Sequence, residues 1–451
     1  MTTVSVITLG CDKNTVDSER MLAELADYGL SPVRTAAEAE VIVVNTCGFI
    51  DAAKRESIDS IIEAGRLKAS GACRVLAAVG CMVERHEAEL ARELPEVDVF
   101  LGASHLDRLV PALRARGIGM SALAEHPGVR MYSGDLPHVR YLKVSEGCDH
   151  GCAFCAIPLM RGKHRSFTRA DIVREAQMLE VQGAREVNLV AQDLAHYGRD
   201  VRDGVGIAQL LEQLVRDTGI PWFRLLYIYS AGLTPALLEL MARERRIVPY
   251  LDMPIQHGSD AVLARMRRPV RDALPDVAIR TTCILGFPGE TEADVRLLCD
   301  LLEEVRFDRV GAFTYSEQQG TRAAELADDV PEPEKRERLE RVTELQRAIT
   351  AERYEELVGR TVPAIVDRAA SGAAPAEARV LWQADDIDGV THLAGDAPAG
   401  AIVDVTLEEV VDDYDFRARL ERITLAPPAP PAAAARALPV LGGIVGGSYG
   451  R

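Results

Sequence analysis

The chain has 451 residues, with 52 Lys and Arg against 69 Asp and Glu, a formal net charge of −17. That length suits about three domains of 100 to 200 residues, and that acidity argues against bulk binding to nucleic-acid backbone, which draws on the opposite balance. No run of 18 apolar residues suggests a membrane span, Met1 to Cys11 lacks the basic start of a secretion signal, and nine cysteines are too few for a disulfide scaffold, so a soluble cytoplasmic protein is expected.

Over residues 1–116 short apolar runs alternate with amphipathic stretches. Strands are predicted at Val4–Leu9, Val41–Asn45, Arg74–Val79 and Val97–Leu101, and helices at Asp17–Tyr28, Asp51–Leu67 and Glu84–Glu93, the cadence of a small parallel α/β sheet. A linker with Gly and Pro, 117–137, follows. Over 138–356 the alternation restarts, with strands at Tyr141–Val144, Glu186–Val190, Phe223–Ile228, Val248–Met253, Val277–Leu285 and Val310–Phe313. Helical patterns include Thr168–Gln182 and Leu233–Arg245. Six strand-helix repeats predict a partial (β/α)6 barrel carrying its site on loops at the carboxyl ends of the strands. The charged stretch Glu332–Gly359 reads as one long helix. Residues 357–425 shift to β-branched runs broken by Gly and Pro, a small β-barrel. Residues 426–451 are rich in Ala, Pro and Gly, an expected disordered tail.

Chemistry concentrates in the cysteines. Cys148-Asp149-His150-Gly151-Cys152-Ala153-Phe154-Cys155 follows the first strand of the second unit. Three thiolates in a C-x3-C-x2-C array can hold three irons of a four-iron cluster and leave the fourth open to a ligand. The alternative is zinc, held by these thiols with His150 or a distant ligand. Cys11, Cys47 and Cys81 each fall just past the end of a predicted parallel strand, where open α/β sheets converge their loops. They read as a second cluster site, with Gly10, Gly48 and Gly80 letting backbone approach an inorganic core. The other reading is that they are small buried hydrophobes, the role assigned to Cys73, Cys283 and Cys299.

The Cys148 loop resembles that of the radical S-adenosylmethionine superfamily. In that superfamily an open iron chelates the cofactor and cleaves it to a deoxyadenosyl radical. Gly286-Phe287-Pro288-Gly289-Glu290 is similar to the superfamily's adenine-contacting element, which implies Gly286, Pro288 and Glu290 as cofactor contacts. With the first triad, the chain from residue 4 to about 425 resembles the methylthiotransferases, whose C-terminal module is TRAM-like. Its phrases Asn14 with Asp17-Ser18-Glu19, Tyr141 to His150, Ala191-Gln192-Asp193, Gln256-His257-Gly258-Ser259, Phe313-Thr314-Tyr315-Ser316 and Asp413-Tyr414-Asp415 look like the branch acting on ribosomal protein twelve of the small subunit. This resemblance implies methylthiolation of an aspartate β-carbon, two 4Fe-4S clusters on the six cysteines, S-adenosylmethionine, an electron donor and a basic ribosomal protein as partner. The tRNA adenosine methylthiotransferases are the alternative branch.

Arg161, Lys163 and Arg165 either meet carboxylates of cofactor or substrate or form a solvated stretch. Gln192 and Asp193 contact a ligand at the barrel top or cap a turn, and His257 is a ligand contact or a structural histidine. Relatives carry a helix-length segment before Val277, whereas here only Pro269 to Asp276 intervenes, which predicts a thin barrel wall. In residues 357–425 thirteen acidic side chains face six basic ones, a formal charge of −7. Such a module is expected to dock a basic protein rather than RNA.

Overall fold

A computed structural model describes residues 1–121, 130–132, 134–201, 204–256 and 270–428. The first unit is a five-stranded parallel sheet in the order β2-β1-β3-β4-β5. Its strands are β1 (Thr3–Thr8), β2 (Ser31–Pro32), β3 (Val41–Thr46), β4 (Val75–Gly80) and β5 (Val99–Gly102). Helices α1 (Asp12–Asp27) and α4 (Leu109–Ala115) cover one face around Leu22, Val43 and Leu113. Helices α2 (Asp51–Ser70) and α3 (Cys81–Glu93) cover the other around Ile42, Ile61 and Leu90. Strands β3 and β4 are buried along their whole length, so they read as unbroken apolar runs.

Two helix starts differ from the sequence expectation: α1 begins at Asp12 rather than Asp17, and α3 at Cys81 rather than Glu84. In the first turns of α1, Lys13, Asn14, Asp17, Ser18 and Glu19 are buried against other parts of the chain. A polar face buried in an interface carries no apolar periodicity, so pattern reading starts the helix a turn late. The 117–137 segment is likewise more than a spacer. Arg130 is buried, and its guanidinium bonds Glu19 of α1 at 3.0 Å and Glu175 at 2.8 Å, strapping the first unit to the second.

The second unit is a six-stranded, all-parallel sheet in the order β6-β9-β10-β11-β12-β13. These strands are β6 (Val139–Lys143), β9 (Glu186–Val190), β10 (Trp222–Leu225), β11 (Ile247–Asp252), β12 (Ala278–Leu285) and β13 (Arg309–Thr314). A two-stranded ribbon, β7 (Ser145–Glu146) with β8 (Arg165–Ser166), brackets the Cys148 loop and the short helix α5 (Ile157–Arg161). Outside the sheet lie α6 (Arg169–Val181), α7 (Ile207–Asp217), α8 (Pro235–Arg243), α9 (Glu292–Val305) and α10 (Glu332–Glu355), packed on Leu142, Leu189, Phe223, Leu251 and Ile279. Thr168 and Thr291 cap α6 and α9 by accepting from Asp171 and Asp294 backbone N–H groups. His257 and Met266 to Pro269 lie outside the described residues. At 270–273 one helical turn buries Val270, and Leu274 follows it into the barrel's outer core, so the short connection still fills the wall there.

The C-terminal unit is a closed barrel, β14-β15-β16-β18-β17, built from β14 (Thr361–Arg368), β15 (Ala376–Val380), β16 (Thr391–Ala394), β17 (Ile402–Val411) and β18 (Asp415–Leu425). Its core is continuous with Trp222, Leu226, Val248 and Tyr250 of the second unit. Arg224 and Glu186, both fully buried, pair at 2.6 Å. Glu186 also meets Arg379 at 2.8 Å, and Arg379 pairs with Asp367 at 2.6 Å. Burial alone would raise Glu186, but Arg224 and Arg379 outweigh it and hold its carboxyl below the ordinary range. The segment after β15 enters the same interface: Tyr141 donates to Asp385 at 3.3 Å, Tyr250 to Asp388 at 2.7 Å, and Trp382 Nε1 to the Asp276 carbonyl at 2.7 Å. Asp367, Asp385 and Asp388 are therefore committed to the inner seam, and the module's outward charge is smaller than its composition suggests. Among the described residues no helix is long and apolar enough to cross a membrane. The tail beyond residue 428 lies outside them.

Candidate active site

Cys11, Cys47 and Cys81 of the first unit sit on three neighbouring strand ends. Cys11 is the N-cap of α1, Cys47 follows β3, and Cys81 opens α3 directly from β4. Cys11 and Cys81 both add to the charge cost of Cys47, and Cys11 adds to that of Cys81. Burial, then Cys11 beside it, pushes Cys47 up to about 12, and burial pushes Cys81 up to about 11 against the pull of Arg161. Such thiols stay protonated unless a cationic centre binds them, which is the behaviour of cluster ligands.

The neighbouring glycines are tightly packed against the adjoining loops. A Cβ on Gly10 would lie 2.7 Å from Cys47 Cβ, one on Gly48 2.8 Å from Met82 Cα, and one on Gly80 2.4 Å from Asn45 Oδ1. They let the three loops press on one another. Asn14 pins the loops from below, its Nδ2 donating to the carbonyls of Leu9 at 2.7 Å and Thr46 at 3.2 Å.

The second triad lies on the loop between β7 and α5. Cys148 is buried, while Cys152 and Cys155 are partly open. Burial raises both Cys148 and Cys155, the latter to about 11, with the neighbouring thiols adding to it. Tyr229, past β10, places its hydroxyl 3.4 Å from Cys152 Sγ. Its ring stacks on His150 at 4.2 Å, and His150 stacks on His196 at 4.4 Å. Asp193 holds this stack: it takes His150 Nε2 at 2.8 Å and the N–H groups of Ala195 at 2.8 Å and Tyr229 at 3.1 Å. Asp193 thus caps a turn and positions His150 at once, while Gln192 donates to Glu146 at 3.1 Å.

Among the described residues His150, Asp193 and His196 bring three possible ligand atoms within 4.8 Å of one another, beside the second triad.

Arg161, at the end of α5, joins the two triads and is no solvated cation. Its Nε donates to Cys81 Sγ at 3.1 Å, its Nη1 to Asp17 at 2.7 Å and Glu146 at 3.1 Å, and its Nη2 to Asn14. Lys143 bonds the same two carboxylates, reaching Glu146 at 2.7 Å and also Asp17. Lys163 and Arg165 remain exposed. The Gly286–Glu290 turn closes the far side of the barrel mouth. Glu290 accepts from Gly286 N–H at 2.9 Å and from Arg338 of α10 at 2.6 Å, so its carboxylate shapes the turn from within. Gly286 has φ +72, and a Cβ there would strike Lys335 at 2.3 Å.

Comparison with known proteins agrees with this arrangement. Residues 3–102 match the model of uncharacterized protein family UPF0004, and residues 142–302 that of the radical SAM superfamily. A protein of Anaeromyxobacter sp. (strain K) named ribosomal protein uS12 methylthiotransferase RimO is 44% identical over 438 residues, covering 93% of each chain. One of the same name from Moorella thermoacetica is 41% identical, covering 92% of this chain and 99% of its own.

The chain belongs to the ribosomal protein uS12 methylthiotransferase family.

Among solved structures, the radical S-adenosylmethionine methyltransferase TsrM from Kitasatospora setae shares the fold with a TM-score of 0.51. It is 14% identical, covering 69% of this chain and 73% of its own. For this methylthiotransferase the cysteine pattern alone had marked both triads. Arg161, Lys143, Tyr227 and Tyr229 had no such signal, because each acts through contacts across the chain. Tyr227 alone announces itself in the backbone, with φ +64.

Proposed function

We propose that this enzyme transfers a methylthio group to the β-carbon of an aspartate on uS12, working in the cytoplasm and fed by an external electron donor. Cys148, Cys152 and Cys155 hold one four-iron cluster at the barrel mouth, and Cys11, Cys47 and Cys81 hold the other. When bound, the clusters and S-adenosylmethionine supply the deoxyadenosyl radical and the methylthio group. The turn Gly286, Pro288 and Glu290 borders the cofactor, with Glu290 fixing its shape and the backbone offering the contacts. Arg161 and Lys143 lock the first unit over the barrel, which keeps water from the space between the triads.

The observation that carries this reading is the Arg161 bridge: the loop bearing one triad donates directly to a sulfur of the other. Chemistry that makes a radical at one cluster and delivers sulfur from another needs that adjacency. The acidic C-terminal module favours a basic protein over tRNA: Asp404, Glu408, Glu409 and Glu421 are paired with Arg422, Arg419 and Arg417 of β18, and the exposed Asp386, Asp396 and Asp412 add negative charge beyond those pairs. Incubation of reduced, reconstituted enzyme with uS12 and, separately, with bulk tRNA tests the proposal by mass spectrometry. Methylthiolation of uS12 is expected; methylthio-adenosine in tRNA with unmodified uS12 would promote the other branch.

A further inference from the structure

Lys13 lies in the first turn of α1, two residues after Cys11, and is only 7% exposed. Its Nζ sits 3.3 Å over the ring centroid of Tyr227, and among the described residues no hydrogen bond or ion pair reaches it. In this it is exceptional. Every other buried lysine or arginine among the described residues, Lys143, Lys335 and Arg224 included, stands in an ion pair.

A cation over an aromatic face gains about 0.5 to 2 kcal/mol. That does not offset the removal of an ammonium with three donors from water. Tyr227 is itself held in a left-handed conformation, φ +64, at the end of β10, and its hydroxyl donates to Asp12 at 3.3 Å. Its hydroxyl also lies in the field of Cys11, Asp252 and Arg280, which places the ring at the seam between the first triad and the barrel lumen. Arg280 is already committed to Asp252 at 2.9 Å. Lys13 is the cation at this seam that acts on Asp12 through its field alone and forms no ion pair among the described residues.

A buried ammonium on an aromatic platform, in the field of Asp12 but with no carboxylate in ion-pair reach among the described residues, is a receptor in want of one. The substrate of the proposed reaction carries one on the carbon next to the one that reacts. We propose that Lys13 is a specificity-determining residue that receives the carboxylate of the target aspartate, with Tyr227 as the platform that fixes the ammonium. This rests on the uS12 reading above. It accounts for selection of an aspartate over its neutral amide.

The test uses the full chain reconstituted with iron and sulfide, titrated with fluorescently labelled uS12 and with uS12 carrying asparagine in place of the modified aspartate. Wild-type enzyme is expected to bind the aspartate form about tenfold or more tighter, the scale of one hydrogen bond to a charged group. Lys13→Gln should erase that preference, and Lys13→Arg should restore part of it. Iron content and visible absorption establish that each variant is loaded. Equal binding of the two forms by the wild type, or a preference undiminished in Lys13→Gln, overturns the assignment. So does a Lys13→Gln variant that loses affinity for S-adenosylmethionine while keeping the preference, since the ammonium then serves the cofactor. If the wild type modifies tRNA and leaves uS12 untouched, the function reading falls, and this inference with it.

Discussion

Replacing Arg161 by Leu removes a guanidinium that touches two carboxylates, an amide and a thiol across the junction of the first and second units. Asp17 and Glu146 are then left to share Lys143, so one buried negative charge goes unbalanced. Truncating one partner of a buried ion pair costs about 3 to 5 kcal/mol. The Glu146 side chain retains 18% exposure, against 8% for Asp17, and water reaching it places the cost near the lower end, about 3 kcal/mol. At about 1.4 kcal/mol per tenfold, that is a hundredfold rise in the population with the units undocked. Native-state hydrogen exchange of the cluster-free chain reads this directly. Amides of α1 and α5 should lose about a hundredfold in protection, while those of β17 and β18 keep theirs. Arg161→Lys should lose less, because it keeps the charge but not the fork that serves four partners. Protection of α1 within a factor of two of wild type, in a variant with native circular dichroism, would refute the argument that this bridge holds the units together.

Changing Cys148, Cys152 and Cys155 together to Ala should remove one cluster's iron and abolish cleavage of S-adenosylmethionine. Changing Cys11, Cys47 and Cys81 should stop methylthio transfer while deoxyadenosine still accumulates. Iron assay and chromatography of the products check both, and loss of cleavage in a well-folded Cys11, Cys47 and Cys81 variant would contradict the division of labour. Burial pushes the Asp385 carboxyl up to about 7, against the pull of Arg379 and with Asp386, Asp367 and Glu186 adding to the rise. Its folded value therefore exceeds that of the unfolded chain, near 4. The stability it contributes is complete below about pH 4 and is lost as pH rises through about 7. Asp385→Asn, which can still accept from Tyr141, should flatten the fall in melting temperature of the cluster-free chain between pH 5 and 8; an unchanged slope would show that Asp385 titrates normally.

The strands and the six proposed cysteine ligands were legible because each rests on local information: apolar runs of strand length, and thiols at strand ends. The parallel order of both sheets followed from alternation with helices. What escaped lies at the junctions. The first turn of α1 looks like loop because its buried residues are Lys13 and Asn14 rather than Leu or Val, and that of α3, with Cys81, Met82 and Val83 buried, runs on from the apolar strand β4 without a break in pattern. Arg161 read equally well as solvated, since its neutralising partners Asp17 and Glu146 come from different parts of the chain. The charge of the C-terminal module was correctly counted, yet Asp367, Asp385 and Asp388 turn inward, which composition cannot reveal. The glycines beside the first triad stood out in the sequence, but only the fold shows which loop each one meets.

The ion network at the base of the barrel has a consequence for the order in which the molecule is made. Arg224 and Glu186 leave the ribosome well before Arg379 and the Leu381 carbonyl, which Arg224 Nη1 reaches at 2.8 Å. Until then the growing barrel carries a buried carboxylate with half of its cations and a guanidinium lacking one of its two acceptors, both costly away from water. The central unit therefore cannot settle as an independent domain ahead of the third, and a chain stopped before β15 would hold its lumen open. The third unit is the plug that finishes the base of a barrel made before it.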